Sequence, residues 1–131
     1  MRRRALIAAS PLALLGACAA PSTAPQPLHV VFFEDDSLDP TPAALATIQD
    51  AAREAAARPG VPVRVLGYVA PDNTAQAPLL ILSRRRADRV AAELRGFGVA
   101  AERIRVLGRG AVDPIGDPVE SRRVEIHIGA G

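Results

Sequence analysis

The chain has 131 residues, with sixteen arginines and no lysine against fourteen acids, two histidines and one cysteine, and a formal net charge of +2. That length suits one domain with one core, and a single cysteine excludes an internal disulfide. Three arginines stand at positions 2 to 4, ahead of every acid; without them thirteen arginines face fourteen acids, a net charge of −1. The body of the chain is therefore near neutral. With only one tyrosine and three phenylalanines for stacking, this argues against a nucleic-acid partner.

MRRRALIAASPLALLGA, residues 1–17, opens on basic residues, continues in an apolar run from Ala5 to Ala17 and ends on small residues, the layout of a secretory signal peptide. The run is short and broken by Pro11, too little to cross roughly 30 Å of hydrocarbon as a helix. Cys18 follows Leu15-Gly16-Ala17, and L-G-A-C resembles a bacterial lipobox, whose cysteine becomes the acylated N-terminus. The plainer alternative is an ordinary signal-peptidase cut with Cys18 incidental. Acylation would anchor the chain, since each buried methylene contributes about 0.8 kcal/mol. By the same resemblance Ala19, where an aspartate would imply inner-membrane retention, implies the outer membrane. AAPSTAPQP, residues 19–27, has no core-forming residue and reads as an extended tether of about 28 Å. The expected organisation is a signal at 1–17, the acylated cysteine and tether at 18–27, and one folded domain at 28–131.

Within that domain Leu28 to Phe33 is a short β-branched and aromatic run, hence a buried strand. EDDSLDPTP breaks it. Thr41 suits an N-cap with Pro42 at the first helical position. Leu45, Ile48, Ala52 and Ala55 keep helical spacing, and Arg58-Pro59-Gly60 ends the run. Val61 to Val69 alternates as a second strand. APDNTAQA is a loop, Pro78 opens a second helix, and Gly96 or Gly98 closes it. Ile104 to Leu107 is a third strand. Val124, Ile126 and Ile128, alternating with Arg123, Glu125 and His127, make a fourth. The order β-α-β-α-β-β predicts an α/β (α+β) sandwich, a mixed parallel and antiparallel sheet with both helices packed on one face.

The second helix carries LSRRRADRV, with four arginines in two turns. On a wheel of about 100° per residue, Leu79, Ala87, Val90 and Leu94 cluster toward the sheet. Arg85 and Arg89 point away, and Arg84 is placed to pair with Asp88 at i, i+4. Arg86 differs. It lies on the ridge Leu82, Arg86, Val90 at the edge of the apolar stripe, where five guanidinium donors need acceptors and suit a carboxylate. Two readings are open: an internal ion pair, for example with Asp72, or a ligand site.

GYVAPDN, LSRRRADRV, LRGFGV, RIRVLGRG and SRRVEIHI occur in this order between Gly67 and Ile128. Together they resemble the OmpA-like C-terminal domain, shared by peptidoglycan-associated lipoproteins and flagellar motor stators. That family runs a strand into G-x-T-D, then N-x-x-L-S-x-x-R-A, G-x-G and N-R-R-V-E. Leu82-Ser83, Arg86-Ala87, Gly108-Arg109-Gly110 and Arg122-Arg123-Val124-Glu125 match it. The resemblance implies a non-covalent peptidoglycan binder in which an aspartate takes the ammonium, and an arginine the carboxylate, of diaminopimelate in the stem peptide. Arg86 is the family arginine. The aspartate position is Ala70, the family asparagine falls on Leu79, and the nearest acid is Asp72, which a reshaped loop would let substitute. Ser121 stands where the family has the asparagine before its arginine pair.

No enzyme signature competes. His29 and His127 lie on separate strands, Ser83 lacks a G-x-S-x-G elbow, and no metal-ligand cluster or cofactor motif is present. Glu34, Asp35 and Asp36 read as a solvated acidic run ahead of a helix. Two functions are expected to compete: an outer-membrane lipoprotein holding peptidoglycan through Arg86 and Asp72, and an assembly module that kept the scaffold, lost the wall and works through envelope protein partners.

Overall fold

The structure is a computed structural model that describes residues 28–71, 75–112 and 118–129. The signal segment, Cys18, the tether and Asp72 lie outside the described residues. The elements in order are β1 (Leu28–Phe32), α1 (Pro42–Ala57), β2 (Val63–Val69), α2 (Gln76–Gly96), β3 (Ile104–Ala111) and β4 (Arg123–Ile128), with short 3-10 turns at Ala101–Arg103 and Pro118–Ser121. Thr41 caps α1 as its sequence suggests: its hydroxyl accepts the Ala44 N–H at 3.1 Å, and Pro42 follows. α2 begins at Gln76, two residues ahead of Pro78. A proline in the first turn breaks nothing, because the first four N–H groups of a helix have no intrahelical acceptor. β3 runs past Leu107 to Ala111, so its two glycines are strand residues and not the start of a loop.

The sheet order is β1-β4-β2-β3, with β4 antiparallel to both neighbours and β2 parallel to β3. The last strand therefore enters between the first two. This is the mixed sandwich expected from the order of elements. Val31, Val63, Val65, Val124, Ile126 and Ile128 on one sheet face meet Ile48, Ala51 and Ala55 of α1 and Ala87, Val90 and Leu94 of α2 in one buried core. Both helices thus cover the same face.

Two glycines set how closely α2 approaches. A Cβ on Gly67 of β2 would come within 1.9 Å of the Ser83 carbonyl oxygen, and one on Gly108 of β3 within 2.8 Å of the Arg84 backbone nitrogen. The helix backbone lies almost directly on the strands. Ser83 fastens the contact: its hydroxyl donates to the Leu80 carbonyl at 2.8 Å and accepts the Gly110 N–H at 2.9 Å. Arg86 sits one turn further along this docked segment.

A second arginine holds the opposite end of the sheet. Arg103 donates from Nε to the Val61 carbonyl at 3.0 Å, and from Nη2 to those of Ala55 and Arg58, each at 2.9 Å. It reinforces carbonyls at and just after the C-terminal end of α1, where Ala55 and Arg58 otherwise accept only long backbone bonds of 3.3 and 3.4 Å among the described residues. Charge-assisted bonds of this kind are the stronger ones. Arg103→Ala is expected to lower stability by about 2 kcal/mol, read as a lower urea midpoint at unchanged slope, with the cleft described below unaffected.

Candidate functional site

At the other end of the sheet, β1 leaves through Phe33 into Glu34–Ser37, and α2 passes beside it. The Ser37 N–H donates to the Glu34 carbonyl at 3.3 Å, closing a turn whose third residue, Asp36, has φ of +54°. That left-handed position is one that an aspartate tolerates better than most residues. Arg86 holds the turn from below. Its Nε donates to the Ser37 carbonyl at 3.1 Å and its Nη2 to the Glu34 carbonyl at 3.0 Å, while its Cζ lies 5.4 Å from the Phe33 ring centre. The side chain is 1% exposed. Nη1 is buried and makes no hydrogen bond among the described residues.

Arg122, just ahead of β4, comes in from the far side. Its Nη1 lies 2.8 Å from Asp35 Oδ1 and its Nε donates to the Phe33 carbonyl at 3.4 Å. Burial, and then the neighbouring Arg122 charge, pull the Arg86 pKa down from the usual arginine value; Asp36 and Asp35 oppose that shift. A guanidinium depressed in this way still carries its proton at neutral pH. The result is a cleft of about 200 Å³ with Asp35, Asp36, Arg86 and Arg122 as its polar residues and Val69, Ala70, Pro71, Leu79 and Leu82 completing the lining. Of its four charges, Asp35 and Arg122 are paired with each other. Arg86 and Asp36 make no ion pair within 4.0 Å among the described residues.

Arg86, Ala70 and Leu79, singled out in the sequence, come together in this cleft. Arg84, Arg85 and Arg89 are exposed as their wheel positions require, and Arg84 Nε meets Asp88 Oδ1 at 3.0 Å. Arg86 goes deeper than its place at the stripe's edge suggested, because Phe33 and the turn close over it. The acidic run is solvated, as its sequence reading expects, and it also has a place in the cleft. Glu34, Asp35 and Asp36 are exposed, but none lies in the first turn of α1, and the two aspartates line the cleft. Arg122 was passed over as a site residue. Its place in the matched R-R-V-E motif was the one signal that could have found it.

The chain belongs to the OmpA family, whose model matches residues 32–125. Among curated proteins it is 37% identical over 105 residues to the probable lipoprotein YiaD of Escherichia coli (strain K12), a match covering 75% of this chain and 47% of that protein. The chain thus spans about half the length of this relative. Among solved structures it is similar to the peptidoglycan-associated lipoprotein of Burkholderia pseudomallei, with a TM-score of 0.69 and 19% identity over 76% of this chain and 89% of that one. It is also similar to the periplasmic domain of Helicobacter pylori MotB, with a TM-score of 0.63 and 22% identity over 76% of this chain and 70% of that one. At such identities these two structures speak for the fold alone.

Proposed function

We propose that this protein is a lipoprotein of the cell envelope whose domain binds peptidoglycan non-covalently. Arg86 takes the carboxylate at the diaminopimelate end of the stem peptide, with no catalytic step and no cofactor. The observation that carries this reading is the state of Arg86. It is buried, yet it meets no internal carboxylate among the described residues; two donors hold a turn, and Nη1 is left over beside a cleft. A purely structural buried arginine is expected to have its charge paired. Family membership and the lipoprotein names among the relatives support the same role. In this reading residues 1–17 are removed, Cys18 carries the acyl chains in the outer membrane, residues 19–27 are the tether, and residues 28–131 reach the wall. Asp72, two residues beyond Ala70, is the sequence's candidate for the ammonium.

The test is co-sedimentation of residues 27–131, which enclose the whole core cluster, with purified sacculi. The domain is expected in the pellet, and free diaminopimelate is expected to release it. A domain that stays in the supernatant overturns the wall reading. It would leave the alternative, an assembly module working through protein partners, for which Ala70 in place of the family aspartate is the supporting observation.

A further inference from the structure

A ligand end that bears both a carboxylate and an ammonium needs a carboxylate from the protein as well as a guanidinium. This chain has alanine at position 70, where its family has that acid. Among the described residues the cleft offers two acids, both on the turn after β1. Asp35 is engaged by Arg122 at 2.8 Å. Asp36 is not engaged by any described residue, and its backbone is fixed in a left-handed conformation by a turn whose two ends are Arg86's own acceptors. The buried guanidinium and the free carboxylate are therefore held as one unit: Arg86 spends two donors placing Asp36 and keeps Nη1 unbonded.

We propose that Asp36, in place of the sequence's candidate Asp72, supplies the ammonium-binding carboxylate, so that the ligand lies between α2 and the β1–α1 turn. This inference rests on the peptidoglycan reading and names the residue that completes its site. The cleft's size agrees, since about 200 Å³ holds one amino-acid end group and is smaller than the pockets that enclose drug-sized ligands. The site then selects a zwitterion over a plain dicarboxylate, because a ligand without the amine leaves Asp36 facing its carboxylate with nothing between them.

The experiment uses the full chain in detergent solution, titrated with meso-diaminopimelate and with pimelate, which keeps both carboxylates and lacks both amines. Binding is followed by amide chemical shifts. The parent is expected to prefer diaminopimelate by about tenfold or more, the effect of one charge-assisted hydrogen bond. Asp36→Asn is expected to lose that preference, while Glu102→Gln, which removes one negative charge at the far end of the domain, keeps it. Asp36→Gly is the second variant. It relieves the left-handed position, so it should melt at or above the parent temperature and still lose the preference. If the parent binds and Asp36→Asn discriminates as the parent does, the assignment of Asp36 is overturned while the wall reading stands. A parent without preference overturns it as well. A parent that binds neither ligand nor sacculi overturns both.

Discussion

Arg86→Ala is expected to abolish sacculus binding and to lower stability by about 3 kcal/mol, an effect too large for a surface arginine. The truncation removes two charge-assisted bonds at 3.1 and 3.0 Å, leaves the Glu34 carbonyl with only its long turn bond from the Ser37 N–H among the described residues, and uncovers one face of Phe33. It also releases the turn that carries Asp36. Arg86→Met separates the two losses. A flexible apolar chain can refill the space against Phe33, and burying a thioether avoids the desolvation that opposes the charged form. The methionine variant should therefore recover much of the stability and none of the binding. Urea denaturation read beside co-sedimentation decides the matter. A methionine variant that binds sacculi like the parent would show that Arg86 acts only as a support.

Gly67→Ala has the other large effect, and it acts without touching the ligand. The added Cβ meets the Ser83 carbonyl oxygen at 1.9 Å, a backbone atom that has no rotamer to escape into. α2 must lift from β2 or the strand must bend, and overpacking of this kind costs about 3 kcal/mol, at the upper end of the usual range. The lift would also break the Ser83 to Gly110 bond and draw Arg86 away from the turn. A lower thermal midpoint and a loss of sacculus binding are expected together. Gly60→Ala is the contrast. Nothing lies within 4 Å of a Cβ there, and only its φ of +81° opposes the substitution, so its smaller cost should leave binding intact.

These two sites also show what could be read in the chain beforehand. Periodicity is a local signal, and it placed the strands, the capped start of α1 and the sheet-facing side of α2, because each depends on neighbours a few residues away. The same wheel separated Arg86 from Arg84, Arg85 and Arg89. It did not show what lies above Arg86, since Phe33 and the turn come from residues 49 to 53 positions earlier in the chain. For the same reason Asp35, Asp36 and Arg122 were not recognised as one cleft: an acidic run before a helix and an arginine before a strand look solvated until β4 is known to enter beside β1. The depth of the α2 contact was equally hidden. Gly67 and Gly108 were visible as motif residues, yet that a helix backbone rests on both is a property of the assembled sheet.

The edge strand β1 has one end at Leu28 and the other at the turn that closes over Arg86, and it is paired with β4 through five consecutive residues. A protein held from its N-terminal side while a ligand pulls on the cleft would carry that tension lengthwise along β1. Load in this direction slides one strand against the other, so the cross-strand bonds share it at once instead of opening one after another from an end. The topology that brings the last strand in beside the first therefore puts the β1–β4 pairing in shear under such a pull, the direction in which its bonds act together.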